Sequence, residues 1–339
     1  MAGPSRDYIA ELVESFEPRF REAFLKAVDD LRAGADLQAV IAALERGDIP
    51  GAIRAMNLDA AAFTGLDSLM VEAFRTAGVQ TIAVAVPKSA QLVIRFDGRN
   101  ERAEHWLAQH SSQKITAIVD DQRAAIRLSL ERGMEAGQNP RTVALDIVGR
   151  MNNATGKREG GVIGLTAQQA EFAANAAAEL RSGDPAQLRA YLQRARRDKR
   201  FDPLVQRAIR EGTAVPGNDV ARMVQRYKDR LLALRGENIA RTEAMASLGQ
   251  GQDEALQQVV DSRKVEGNRV TRIWRSARDS RVRHTHAVMD GQVRRLDEMF
   301  DSPRGARLRY PGDPNAPAGE IINCRCWAEP KIDFLKGLT

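Results

Sequence analysis

Apolar side chains recur at helical spacing over most of this chain, and that periodicity limits what it can fold into. Tyr8, Leu12, Phe16, Phe20 and Phe24 follow one another at intervals of four residues, which places them on one face of a helix. Aromatic residues make up 5% of the sequence, so the helices must pack mainly through alanine and aliphatic side chains. The pattern predicts a mainly α protein.

Four successive parts are predicted along the 339 residues. They are an N-terminal helical region (1–78), a short β-hairpin (79–100), a long helical body (101–262) and a small α+β C-terminal module (263–339). The hairpin is predicted because Val79–Val86 and Gln91–Phe96 are rich in β-branched residues and flank a short loop, Pro87–Ala90.

Capping residues predict where several helices of the body begin. Helix starts are expected at Asn100, at Pro140 or Thr142, at Thr166 and at Asp184. A further long helix is expected from Asn218-Asp219 past Arg241 towards Gly249 or Gly251, a length on the order of 45 Å at 1.5 Å per residue. Between these helices, the Gly-rich polar segment Met151–Gly161 is predicted to be a loop without regular structure.

Charge is unevenly distributed around a net value of +6. Residues 1–77 hold eight basic and thirteen acidic side chains, whereas residues 181–240 hold fourteen and seven, and residues 263–309 hold thirteen and six. The basic parts could face nucleic acid or an acidic protein, or could be a solvated helical surface. No apolar run approaches the roughly 20 residues of a membrane span, so no membrane partner is expected.

The sulfur and imidazole groups concentrate near the C-terminus. Both cysteines lie in Cys324-x-Cys326, and two of the four histidines lie in His284-x-His286. Two thiolates and an imidazole are typical zinc ligands, which makes His286, Cys324 and Cys326 a candidate zinc site, with Asp290 as a candidate fourth ligand. Alternatives are reduced cysteines packed as small apolar residues, a strained disulfide, or a cysteine nucleophile with His286 as its base.

A longer set of residues accompanies that cluster in a fixed order. It comprises Arg241-Thr242-Glu243, Trp274, Asp279, Arg283, Asp290-Gly291, Pro311, Asp313-Pro314, Asn323 and Arg325. In order and spacing the set resembles the phage Mu F-like minor head protein family, the head morphogenesis proteins of tailed phages. The resemblance is looser upstream, from about Ile115. His284 falls where the family does not demand histidine, which leaves His286 the better ligand candidate.

The resemblance implies a minor capsid protein without enzymatic activity. It implies a location in the virion, at the portal vertex of the head, after synthesis in the bacterial cytoplasm. The portal protein is the expected partner, and the major capsid or scaffold protein and packaged double-stranded DNA, bound without sequence preference or during its delivery, are further candidates. Two alternatives stay open: a metal- or cysteine-dependent hydrolase packaged in the virion, and a non-specific DNA-binding protein.

Overall fold

A computed structural model describes residues 7–86 and 92–334. Most of these residues are helical and the strands are short, which confirms a mainly α protein with a small α+β C-terminal part. The α-helices are α1 (Tyr8–Gly34), α2 (Leu37–Glu45), α3 (Ile49–Ala55), α4 (Thr64–Ala85), α5 (Glu101–Glu135), α6 (Pro140–Val148), α7 (Ala167–Arg181), α8 (Pro185–Leu192), α9 (Asp202–Glu211), α10 (Gly217–Asp261), α11 (His284–Met289) and α12 (Ala318–Ile321). No helix in the described ranges combines the length and the apolar character that a membrane span requires.

Within the described part of the chain, the strands form three small antiparallel sheets. They are β1 (Arg150–Asn152), β2 (Lys157–Glu159), β3 (Val270–Arg275), β4 (Val293–Arg295), β5 (Phe300–Asp301), β6 (Arg307–Leu308) and β7 (Trp327–Ile332). In the largest sheet β3 lies between β4 and β7, and Trp274 pairs with Ala328 in its register. Trp274 is fully buried, so this sheet supplies one wall of the C-terminal core.

The chain divides into two compact units, each built from separated segments. One unit combines residues up to Phe24 with Gly65–Ser112 and the chain from Glu237 onward. The other combines Leu25–Thr64 with Gln113–Gly236. The division into four successive parts stays a prediction.

Most predicted helix starts are capped as their sequences indicate. The Thr166 hydroxyl accepts a hydrogen bond from the Gln169 backbone N–H, and the Gln169 side chain accepts one from the Thr166 backbone N–H, which completes a capping box for α7. The Asp184 carboxylate caps α8, and the Asn100 side chain accepts from the Ala103 backbone N–H at the start of α5. These local signals were sufficient because each cap satisfies backbone N–H groups within its own first turn.

The predicted β-hairpin at residues 79–100 is wrong. Residues 79–85 continue helix α4, and its buried positions, among them Ala77, Thr81 and Ala85, recur at intervals of four. The Thr81 hydroxyl donates to the Ala77 carbonyl one turn earlier and shares a 2.7 Å hydrogen bond with the Tyr8 hydroxyl. Burial against α1 therefore outweighs the strand preference of the β-branched residues. The predicted loop Pro87–Ala90 lies outside the described residues.

Residues 92–96 of the second predicted strand have no regular secondary structure and pair with no strand among the described residues. The Lys264 ammonium donates to the Val93 carbonyl, and just beyond the segment the Gln258 side chain accepts from the Asp97 N–H and donates to the Asp97 carbonyl. Phe96 packs 5.8 Å from Phe74 between ring centroids and lies over Gly78, where an added Cβ would stand 2.3 Å from the ring. Tertiary contacts hold this segment in place of a β-ladder.

Helix α10 is longer than expected. It has 45 residues and continues ten residues beyond Gly251, a length of roughly 67 Å at 1.5 Å per residue. Gly249 and Gly251 lie inside it and permit close contacts instead of ending it. An added Cβ would stand 2.5 Å from the Tyr310 ring at Gly249 and 2.1 Å from the Phe74 carbonyl oxygen at Gly251.

The segment Met151–Gly161 is more regular than predicted. It contains the antiparallel pair β1–β2, with Met151 opposite Arg158. Gly156 in the connecting turn has a φ of 67°, a conformation that glycine adopts without strain. The glycines that suggested an irregular loop are therefore the residues that allow a tight hairpin.

Candidate metal centre

Two elements bring the thiols and the imidazole together. His286 lies on α11, and Cys324 and Cys326 lie in the turn that leads into β7. The Nδ1 atom of His286 is 3.5 Å from the Cys324 sulfur and 3.4 Å from the Cys326 sulfur. Their ligand atoms all lie within 4.8 Å of one another. These three residues are called the candidate metal centre.

The candidate metal centre is enclosed by an apolar core. Both cysteines belong to a buried cluster with Trp274 and Phe300. The Trp274 ring meets the His286 ring edge-on at 5.1 Å between centroids. All three polar side chains are at most 3% exposed, so water has little access to them.

The Glu320 carboxylate fixes the orientation of the His286 ring. Glu320 lies on α12 and its Oε2 atom is 2.9 Å from Nε2 of His286. The Thr285 and Ser302 hydroxyls donate to the same carboxylate at 3.1 and 2.9 Å. An ionised carboxylate accepts hydrogen bonds, so Nε2 carries the proton and Nδ1 presents its lone pair to the two sulfur atoms.

The electrostatics of the site favour ionised forms of the acid and of one thiol. Burial would raise the pKa of Glu320, but hydrogen bonds from Ser302, Thr285 and His286 outweigh it and lower that pKa. The pKa of Cys324 is lowered chiefly by its hydrogen bond with Cys326, although burial opposes this. The same hydrogen bond with Cys324 raises the pKa of Cys326, and burial and the charge on Cys324 add to that rise. Of the two thiols, Cys324 is therefore the one that ionises more readily.

A backbone group also stabilises the Cys324 sulfur. The N–H of Cys326 donates to the Cys324 sulfur at 3.5 Å. The turn is held by Asn323, whose φ of 56° lies in the left-handed region, and its side chain donates to the Asn238 amide oxygen at 2.9 Å. The Arg283 guanidinium donates to the Ile322 carbonyl. Family-motif residues therefore shape the turn that carries the thiols.

Asp290, the candidate fourth ligand, lies outside this group. Helix α11 ends at Met289, and the Asp290 carboxylate accepts from the Ser276 backbone N–H at 2.8 Å and from the Arg278 guanidinium at 3.0 Å. It joins the end of β3 to the end of α11. His284 is exposed on the outer side of α11.

The remaining motif residues contact other groups of this chain. Thr242 and Glu243 are buried, and Glu243 bonds to His110 at 2.8 Å, while Arg241 pairs with Glu17. In the loop after β6, Asp313 accepts from the backbone N–H groups of Arg309 and Asn315 at 2.9 and 3.0 Å. These residues therefore have structural contacts.

That loop lies close against the helix. The Tyr310 hydroxyl donates to the Gln250 side-chain oxygen at 2.7 Å. Pro311 is buried, Pro314 is half-buried, and Gly312, with a φ of 87°, lies so near Met245 that an added Cβ would stand 2.9 Å from the Met245 side chain. Gly291, with a φ of 84°, donates its N–H to the Trp274 carbonyl at 2.9 Å. The glycines of the motif mark turns and close approaches.

Asp279 and Arg325 make a further motif contact. Both terminal guanidinium nitrogens of Arg325 donate to the Asp279 carboxylate, one of them at 2.5 Å. This pairing lowers the pKa of Asp279 and raises that of Arg325. The pair joins the segment before α11 to the turn of the two cysteines.

Sequence reasoning missed Glu320 and the Arg272–Asp253 pair. Glu320 lies in a proline-rich stretch without periodicity, so nothing in the sequence connects it with His286. Arg272 is 1% exposed and donates to Asp253 at 2.7 Å, and Arg309 donates to the same carboxylate at 2.7 Å. Burial raises the pKa of Asp253, and the two arginines oppose that rise.

Comparison with known proteins agrees with the resemblance read from the motifs. Residues 199–329 match the model of a family described as Phage Mu protein F like protein. The match takes in α9, α10 and most of the C-terminal module, which is less than half of the chain, and it does not extend to the looser resemblance upstream. No curated protein and no solved structure gives a significant match.

Proposed function

We propose, from the premise that residues 199–329 belong to the phage Mu protein F-like family, that this chain is a head morphogenesis protein of a tailed phage. It acts as a minor structural component that joins the assembling head at its portal vertex. The family match is the observation that carries this proposal. The portal protein is the proposed partner.

The contacts of the motif residues support a structural role. Glu243, Asp279 and Asp313 each bind groups of this chain: His110, Arg325 and the Arg309 backbone N–H. They stabilise the module instead of facing an open cleft. A rigid module mounted on a 45-residue helix is suited to presenting a fixed surface to another head protein.

The burial of the thiols counts against the hydrolase alternative. A cysteine nucleophile has to reach its substrate, and Cys324 is 1% exposed beneath an apolar core. The nearby carboxylate of Glu320 is engaged by three side chains and is 5% exposed. Turnover by the purified protein that is abolished in Cys324→Ser would favour the hydrolase.

Portal association is tested by comparing heads assembled with and without the portal protein. The test uses the phage that encodes this chain, with a portal deletion and a separate deletion of the packaging motor. We expect the chain, measured by immunoblot against the major capsid protein, in wild-type heads and in unpackaged heads with a portal. We expect its loss from portal-less heads.

The same samples separate the alternatives. Equal amounts of the chain in heads with and without a portal would overturn portal association. Presence in DNA-filled heads alone would favour incorporation through DNA binding. Direct co-purification of the portal protein with the chain, in a ratio that does not change between 0.1 and about 0.5 M salt, is also expected because salt screens non-specific charge contacts at these concentrations.

A further inference from the structure

We propose that His286, Cys324 and Cys326 bind one Zn²⁺ ion as a structural centre of the C-terminal module, with Glu320 as the positioning residue for His286. Both sulfurs and the Nδ1 atom of His286 are the protein ligands. Within the described ranges, these three are the His, Cys, Asp and Glu residues whose ligand atoms lie together. This inference does not depend on the head morphogenesis role.

The distances fit a tetrahedral zinc ion. Bonds of about 2.3 Å to sulfur and about 2.0 Å to nitrogen at a tetrahedral angle separate the nitrogen from each sulfur by roughly 3.5 Å. The Nδ1 atom of His286 lies 3.5 and 3.4 Å from the sulfurs of Cys324 and Cys326. An ion can therefore be bound with little movement of these side chains.

The hydrogen-bond inventory favours a cation over two thiol hydrogens. Glu320 accepts from Nε2 of His286 at 2.9 Å, so Nδ1 offers a single lone pair. Both sulfurs lie within 3.5 Å of Nδ1, which accepts one hydrogen at most, so a second thiol hydrogen has to turn to the neighbouring sulfur. One cation between the three atoms can be coordinated by a lone pair of each of them.

The surroundings match those of a protein-bound zinc ion. A histidine ligand usually donates its other ring N–H to a carboxylate, which fixes the tautomer, and Glu320 does so here. Glu320 is itself held by Thr285 and Ser302. Two thiolates and an imidazole select zinc over magnesium or calcium, which prefer oxygen ligands.

Metal content is the first test. The full chain, carrying a tag without histidine and purified under reducing conditions without chelator, is analysed for metals by mass spectrometry. We expect one equivalent of zinc in the wild type and less than a tenth of an equivalent in Cys324→Ser/Cys326→Ser. The matched control is His284→Gln, on the same helix but exposed, which should keep one equivalent.

Cobalt substitution keeps the test decisive if the cysteine variant fails to fold. Co²⁺ exchanged into the wild type should give intense thiolate-to-cobalt charge-transfer and tetrahedral d–d absorption. Wild-type protein that carries well under one equivalent of zinc, takes up neither Zn²⁺ nor Co²⁺, and shows two free thiols or a Cys324–Cys326 disulfide by mass spectrometry would overturn the proposal. One equivalent of a different metal would overturn the zinc assignment.

The role of Glu320 is tested by competition with a chromogenic chelator. Loss of a carboxylate that orients a histidine ligand typically weakens metal affinity by about 10–100-fold. We expect such a loss in Glu320→Ala, and a smaller loss in Glu320→Gln, whose amide oxygen can still accept from Nε2. Equal zinc affinity in Glu320→Ala and the wild type would exclude a positioning role.

Discussion

At the scale of single residues, Gly251 in α10 shows how the absence of a side chain determines packing. Gly251 faces the Phe74 carbonyl oxygen, which would lie 2.1 Å from an added Cβ. A backbone oxygen cannot rotate aside as a side chain can. The position therefore excludes every residue but glycine while α4 and α10 keep their present separation.

Gly251→Ala is expected to destabilise the protein by about 2–3 kcal/mol, since the added methyl group forces two packed helices apart. Thermal unfolding measured by circular dichroism checks this. Gly217→Ala is the matched control, because Gly217 is in the same helix and has no atom within 4 Å of an added Cβ. Equal melting temperatures for the two variants would contradict the account.

Lys228 is a buried cation whose ionisation costs stability. Its ammonium group donates to the Asp146 carbonyl at 3.0 Å, and burial lowers its pKa, opposed by Asp146 and reinforced by Arg32. In the folded state Lys228 therefore loses its proton at a pH below its unfolded pKa of about 10.5. Between the two values the unfolded chain binds more protons, so this residue makes stability rise with pH in that window.

Lys228→Met is therefore expected to raise the free energy of unfolding near neutral pH by about 1 kcal/mol or more, because it replaces a buried charged side chain by an uncharged one of similar length. The gain should shrink as the pH approaches 10. Chemical denaturation at pH 7 and pH 9.5 measures it, with the exposed Lys199→Met as control. A destabilised variant at pH 7 would show that the hydrogen bond to Asp146 outweighs desolvation.

At the scale of elements, helix starts were predictable and long-range contacts were not. Thr166 and Asp184 cap their helices through atoms two or three residues away, which a local pattern records. Within the helical residues 79–85, Thr81 is hydrogen-bonded to Tyr8, more than seventy positions earlier, and such a contact leaves no local trace in the sequence. The same holds for the site: the pairing of His286 with two cysteines was predictable from residue type, whereas Glu320 was not.

Strand β3 depends on a buried ion pair beneath it. Arg272 donates to Asp253 and to the carbonyl oxygens of Arg309, Arg295, Leu296 and Glu298. One side chain therefore joins α10, β3 and the loops around β4. Its removal leaves a buried carboxylate with one partner fewer and several carbonyl oxygens unsatisfied.

Arg272→Met is expected to cost about 3–5 kcal/mol, the usual effect of breaking a buried ion pair from one side. Arg295→Met on the neighbouring strand should cost less than about 1 kcal/mol, because the Arg295 side chain is 51% exposed in its ion pair with Glu298. Urea denaturation followed by tryptophan fluorescence separates the two. A loss below 1 kcal/mol for Arg272→Met would contradict this assignment.

At the scale of the whole molecule, several arginines of the basic segment 181–240 form ion pairs with carboxylates of this chain. Arg194 pairs with Glu179 at 2.6 Å, Arg197 with Asp202 at 2.8 Å, and Arg200 with Asp198 at 2.7 Å. The Arg200 contact lowers the pKa of Asp198 to about 2, so its negative charge persists at every physiological pH. Asp198 and Asp202 are already counted in the net charge of residues 181–240, so these pairs leave that charge unchanged but hold three of its guanidinium groups against carboxylates of this chain.

DNA binding by the isolated chain is accordingly expected to be weak and without sequence preference, with a dissociation constant above about 1 µM at physiological salt. Fluorescence anisotropy with two labelled duplexes of unrelated sequence, titrated at 50 and 200 mM salt, measures both properties. Submicromolar binding at the higher salt concentration would favour the DNA-binding alternative over the structural role.

The unit that holds the candidate metal centre is built from separated segments of the chain, and this limits how recombination can transfer it. The Gln252 amide donates to the Tyr8 hydroxyl, 244 positions away in sequence, and to the Ala328 carbonyl. Recombination that transferred residues 199–329 as a cassette would leave Gln252 facing a foreign N-terminal helix, with its Tyr8 partner left behind. Transfer of this segment is therefore expected to succeed only together with α1, or with compensating substitutions in that helix.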